Sequence, residues 1–172
     1  MYAAPTTPEL WDAWHAAAGD AQVVGAIDAV HARIAEAVDD RRPRCDQSGR
    51  CCRFGDYGHD LFLTGLEIAV FLRRVEANPP AVSPPSAGRI ALPQWRDDRV
   101  CPYMVDCGCS MHEVRPSGCR VFFCEPGTED WQQSLYEEVL GELRRVHDEH
   151  GLPYRYMEWL DGLAAARRVG AS

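Results

Sequence analysis

The sequence contains no apolar run approaching the ~18 residues that a bilayer-spanning helix requires. Residues 1–14 lack the basic stretch followed by an apolar stretch that marks a secretory leader. Positive charge is in the minority: 18 Lys and Arg stand against 26 Asp and Glu, a formal net charge of −8. A phosphate-backbone footprint needs a basic face, so nucleic acid is not expected as a partner. No glycine-rich strand–helix loop points to a dinucleotide or methyl-donor site. No Ser/His/Asp order and no paired-carboxylate signature stands out, so enzymatic activity stays open. There is no internal repeat. These absences point to a cytoplasmic protein with no membrane partner.

Cysteine is missing from residues 1–44 and from residues 125–172. All eight lie between Cys45 and Cys124: Cys45, Cys51, Cys52, Cys101, Cys107, Cys109, Cys119 and Cys124. Their spacing is C-x5-CC, then C-x5-C-x-C, then C-x9-C-x4-C. Unliganded thiols behave as small buried hydrophobes and could account for some of these, but core packing would not crowd eight into one segment. In a reducing compartment such crowding points to metal or catalysis rather than to disulfides. The adjacent Cys51 and Cys52 are poorly placed to bridge each other, and the C-x-x-C of a thioredoxin-like pair is absent. Thiolate is a soft ligand suited to iron–sulfur clusters and to zinc, either of which takes four thiolates. The paired C-x2-C knuckles of a zinc ribbon are missing, which tilts the reading toward a polynuclear centre. Arg50, Arg53, Arg115 and Arg120 stand near the cysteines and could offset thiolate charge. His59 and His112 are possible further ligands or donors to sulfur.

The flanks read as helices. Val24, Ile27, Ile34 and Val38 recur on one face of a helix over 20–38 that Asp20 caps. A shorter helix precedes it over 8–18, with Pro8 in its first turn. Leu63-Thr64-Gly65-Leu66-Glu67-Ile68 carries a capping box, Thr64 with Glu67, and a hydrophobic staple, Leu63 with Ile68. That helix should reach about residue 76, followed by a proline-rich linker over 78–88. Residues 100–105 and 110–114 are expected to pair as a hairpin. Asp130 should cap a helix ending at Gly151, with Leu135, Val139, Leu143 and Val146 as its apolar stripe. A last helix is expected over 156–169, and a helix start with Pro116 at its first position would turn Cys119 and Arg120 inward. His15, His31, His147 and His150 read as surface residues.

The fold expected is therefore mostly α: one domain over 1–172, with N-terminal helices over 1–44, an irregular cysteine-rich region over 45–124 with room for one short β-hairpin, and C-terminal helices over 125–172.

The cysteine region resembles the YkgJ-type cysteine-cluster family, described as a zinc- or iron-chelating domain. Cys45-Asp-Gln-Ser-Gly-Arg-Cys51-Cys52 looks like the family's opening C-x2-C-x2-CC. Leu63-Thr64-Gly65-Leu66-Glu67 matches its L-T-x-x-E helix start, and Cys101-Pro102-Tyr103-Met104 its next segment. Residues 109–122 are similar to its C-x-I-Y-x-x-RP-x-x-CR-x-F signature. The sequence departs at Ser48, where a cysteine is usual, and at His112, where an aromatic is usual; Cys107 and Cys124 are additional. The resemblance implies Cys45, Cys51, Cys52, Cys101, Cys109 and Cys119 as ligands, with Cys107 and Cys124 as replacements or a second site. Arg115 and Arg120 would then stand behind the ligands. A similar domain occurs in flagellin lysine N-methylases, where an iron–sulfur centre is implicated. The resemblance thus favours an iron–sulfur cluster over zinc. The expected role is redox or enzyme-accessory, with a protein or redox partner; the alternative is a zinc-binding structural or interaction module, or a thiol-based metal carrier.

Overall fold

The computed structural model describes residues 6–46, 48–80 and 99–170. Most of the proline-rich linker expected over 78–88 lies outside those residues.

Two helices open the chain: α1, Pro8–Ala17, and α2, Ala21–Arg41. The Asp20 carboxylate accepts from the Gln22 backbone N–H at 2.7 Å, which fixes where α2 begins. A 3₁₀ turn, Arg50–Cys52, and the four-residue α3, Phe54–Tyr57, carry the first cysteines. Strand β1, Phe62–Thr64, then leads directly into α4, Gly65–Ala77. Here the capping box forms as the sequence expects. The Glu67 N–H donates to Thr64 Oγ1 at 3.2 Å, and the Thr64 N–H returns to Glu67 Oε2 at 3.1 Å. The staple residues Leu63 and Ile68 are both fully buried.

The hairpin exists but is smaller and shifted. It joins β2, Met104–Val105, to β3, Gly108–Cys109, across Asp106 and Cys107. Both turn residues have positive φ, 47° and 66°, the backbone of a two-residue turn whose twist matches the strands. Residues 112–114, expected as strand, form a 3₁₀ turn instead. Then come α5, Ser117–Val121, and α6, Glu129–Glu149. Pro116 takes the N-cap position of α5 rather than its first helical one. Thr128, not Asp130, is the N-cap of α6. The Thr128 hydroxyl donates to the Glu125 carbonyl and accepts from Gln132 Nε2, so the loop before the helix selects the start. Asp130 falls in the first turn, where a negative charge suits the helix dipole. The stripe Leu135, Val139, Leu143 and Val146 is buried, and Gly151, φ 62°, follows the helix end as expected.

The expected last helix begins three residues late. Residues Tyr156–Glu158 form β4, and only then does α7, Trp159–Gly170, begin. Strand β4 pairs antiparallel with β1, Thr64 opposite Tyr156 and Phe62 opposite Glu158. This pairing satisfies the backbone of a segment that local pattern alone reads as helix.

The architecture is mostly helical, with two small two-stranded sheets. Helix α1 packs on α4, α2 on α6 and α5, and α4 on α7. Trp14 closes the core: it is fully buried, its indole N–H donates to the Pro153 carbonyl at 2.8 Å, and its ring lies where a Cβ on Gly65 would stand. Helix α4 can start against α1 only because Gly65 has no side chain. Two of the four helical histidines are interior, against expectation. His147 is fully buried and His31 only 7% exposed, whereas His15 is exposed. Among the described residues no helix is long and apolar enough to cross a membrane.

Candidate metal centre

Four separate stretches bring the cysteines together. The Arg50–Cys52 turn runs antiparallel to residues 99–101: the Cys101 N–H donates to the Cys52 carbonyl at 2.7 Å, and Arg53 bridges Val100. That pairing sets Cys52 beside Cys101. Both are 7% exposed. The Cys51 and Cys52 Sγ atoms stand 3.9 Å apart. Beneath them Phe71 packs edge-on against Tyr103 and Trp159, with centroids 4.9 and 5.1 Å away. The Trp159 indole N–H donates to Cys101 Sγ at 3.5 Å. Hairpin strand β3 supplies Cys109, and α5 supplies Cys119.

Electrostatics ties these five thiols into one group. Hydrogen bonding to Cys101, and next to Cys51, pushes the Cys52 thiol up. The same bonds hold Cys51 down at about 7 and keep Cys101 below the ordinary thiol range. Of the three, Cys52 is the thiol that holds its proton most tightly. Burial raises the Cys109 and Cys119 thiols, and the fields of Cys101 and Cys51 reach both. The Arg115 guanidinium opposes this at Cys51, Cys109 and Cys119. Its Nε is buried without a hydrogen-bond partner, and among the described residues Arg115 has no carboxylate partner. Arg120 is occupied differently: its guanidinium donates to the carbonyls of Arg115 and Glu113, both at 2.7 Å, and so locks the turn before α5.

The other three cysteines stand apart from this group. Cys45 is exposed. Cys107 is exposed at the hairpin tip, where the Arg53 guanidinium donates to its Sγ at 2.8 Å. Cys124 Sγ lies 3.7 Å from Ser48 Oγ. The two turns nevertheless touch: a Cβ on Gly49, φ 70°, would come within 2.9 Å of the Cys107 carbonyl oxygen. His59 stacks on Phe122 with centroids 5.1 Å apart, and its Nε2 is buried without a partner; burial lowers its pKa. His112 is exposed, and burial together with Arg115 and Arg120 lowers it as well.

The donor set is all sulfur and suits soft or borderline metals. Among the described residues, no three His, Cys, Asp or Glu side chains stand in an arrangement that could hold a metal ion as they lie. The contacts instead run thiol to thiol, with protons shared between sulfurs. Ligation would remove those protons and draw the sulfurs in. An open cavity of about 470 Å³ is lined by Gly118 and Cys124 with Phe62, Phe122, Tyr136 and Tyr156, and none of the five thiols lines it.

Glu67 is a site residue that motif reading assigned only to helix capping. It is 2% exposed, and it reaches α5 as well as the start of its own helix. The signal available in the sequence was its place in the capping box, which says nothing of a tertiary partner 50 residues away. No family model, no curated protein and no solved structure matches the chain.

Proposed function

We propose that the chain is a thiolate-ligated metal protein that carries an iron–sulfur cluster on Cys51, Cys52, Cys101, Cys109 and Cys119, four of them binding at once. Its role is redox or accessory to an enzyme, exercised on a partner protein in a reducing, cytoplasmic compartment. One observation carries this reading: the antiparallel contact of residues 50–52 with 99–101 sets Cys52 beside Cys101 and leaves the Cys51 and Cys52 Sγ atoms 3.9 Å apart, with Cys109 and Cys119 within reach of their fields. Cysteines placed only for packing would not be drawn from separate stretches into thiol-to-thiol contact in this way. The resemblance of residues 45–124 to YkgJ-type cysteine-cluster domains supports the same reading.

Zinc is the second reading, favoured by a specific distance. With Zn–S near 2.3 Å, two ligands of a tetrahedral site lie about 3.8 Å apart. The Cys51–Cys52 separation of 3.9 Å is close to that edge.

The test is iron, zinc and acid-labile sulfide analysis with a visible spectrum, on protein purified without oxygen. Iron with sulfide and a visible band supports the cluster; zinc with a featureless visible spectrum moves the assignment to zinc; neither metal overturns both. Single Cys→Ala changes at Cys52, Cys101 or Cys119 should strip most of the metal, and changes at Cys45, Cys107 or Cys124 should leave it.

A further inference from the structure

We infer that Glu67 is the positioning residue of the cysteine group: its carboxylate is the external cap that sets where α5 begins, and hence where Cys119 sits. This deepens the metal reading above, although its geometry stands without any metal.

The argument starts from what α5 lacks. The helix has five residues, far too few to be stable alone. Its N-cap residue is Pro116, which offers no side-chain cap. The Ser117 N–H and hydroxyl therefore need an acceptor from elsewhere. Both find Glu67 Oε1, the N–H at 3.2 Å. The other oxygen, Oε2, accepts from the N–H and the hydroxyl of Thr64. One carboxylate thus joins the start of α4 to the start of α5 with four donated hydrogen bonds.

Burial of this carboxylate needs a reason. A capping-box glutamate ordinarily lies in the first turn at the helix surface, where water solvates it. Glu67 is 2% exposed, and burial raises its pKa despite the four donors. Burying a charge carries a desolvation cost that capping α4 does not require. The cross-helix bonds to Ser117 are what burial makes possible. A second contact fixes the same spot: a Cβ on Gly118 would come within 2.5 Å of Leu61 Cδ1, so α5 is seated directly against the approach to β1. Cys119 is the next residue. Its position follows from both contacts, Ser117 with Glu67 and Gly118 with Leu61.

Substitution at Glu67 should disturb one cysteine in preference to the others. In metal-free, reduced full-length protein, the measurement is the iodoacetamide alkylation rate of each cysteine, read by peptide mass spectrometry. Glu67→Gln keeps the volume but replaces an acceptor oxygen with an NH2 group. It should speed alkylation of Cys119 about tenfold while Cys52 and Cys101 change less than twofold. Ser117→Ala, which removes one donor from the α5 side, should act in the same direction more weakly. Thr64→Ala is the control: it removes the box from α4 but leaves both bonds to Ser117. It should leave the Cys119-to-Cys101 rate ratio unchanged. Metal affinity, where the wild type binds metal, should fall roughly 10- to 100-fold in Glu67→Gln.

An unchanged rate ratio in both Glu67→Gln and Ser117→Ala would overturn the inference. So would a uniform rise at all thiols that Thr64→Ala reproduces, because that is simple loss of stability. If the wild type binds no metal but the rate ratio shifts as stated, the metal reading fails and the positioning role stands.

Discussion

His31 shows how one misplaced residue type carries a measurable consequence. As a histidine it reads as a surface residue, yet it lies four residues after Ile27 and three before Ile34, on the apolar face of α2, and is buried with them. Neither ring nitrogen has a hydrogen-bond partner, and Nδ1 lies 4.0 Å from Asp28 Oδ1. Burial first, and then the fields of Arg120 and Arg74, pull its pKa down to about 3, only partly opposed by Asp28. Between that value and its ordinary 6.5 the unfolded chain binds a proton that the folded chain refuses. Stability is thus complete above pH 6.5 and falls as pH drops through that window. The expected loss is on the order of 2–3 kcal/mol from pH 6.5 to 4.5. Urea unfolding of His31→Leu across that range should show a correspondingly shallower pH slope; an unchanged slope would place the proton elsewhere. His59, His112 and His147 are lowered too, so the variant flattens the profile only in part.

At the scale of elements, the β2–β3 hairpin is a place where a cysteine serves poorly as a turn residue. Cys107 sits at φ 66°, a conformation that costs a side-chain-bearing residue about 1 kcal/mol and glycine nothing. Cys107→Gly should raise thermal stability by roughly 0.5–1 kcal/mol, with the lost Arg53 contact, exposed to water, offsetting little. Metal content should not change, because Cys107 is exposed and its sulfur is engaged by Arg53 rather than by another thiol. A fall in bound metal would put Cys107 among the ligands, as the spacing alone allowed. The α4 start behaves differently. Its box was legible because every part lies within four residues, and Thr64→Ala should cost about 1–2 kcal/mol in chemical denaturation.

For the whole molecule, the thiol group adjoins the core, with Cys52 and Cys101 part of the same buried cluster, but most of that core is built of side chains that bind no metal. Trp14, Ile27, Ile34, Leu66 and Leu143 are fully buried at positions that need no metal to hold them. A chelated, reduced sample should keep its far-UV helical signal, unlike a zinc finger that unfolds when stripped. Reloading the metal should release protons, since Cys52, Cys109 and Cys119 are held above the ordinary thiol range. The sign follows directly: ligands that must lose a tightly held proton bind metal more weakly as pH falls. Metal competition at pH 6.5 and 8 should show the tighter binding at pH 8, with the released protons counted in weakly buffered solution.

The helical flanks, the capping box, the end of α6 at Gly151 and the confinement of cysteine to one stretch were all determined by the sequence. Each depends on residues no more than a turn or two apart, or on composition alone. Tertiary structure decided the rest. Residues 156–158 became strand because β1 offered a backbone ladder 94 residues earlier, which no local period encodes. Thr128 displaced Asp130 as the α6 cap because the preceding loop claimed its hydroxyl. Cys51, Cys52 and Cys101 came together because the backbones of residues 50–53 and 99–101 run antiparallel, a pairing no local spacing encodes. Glu67 acquired its second role when α5 arrived beside it, and a buried charge can be explained only by the donors that folding brings to it.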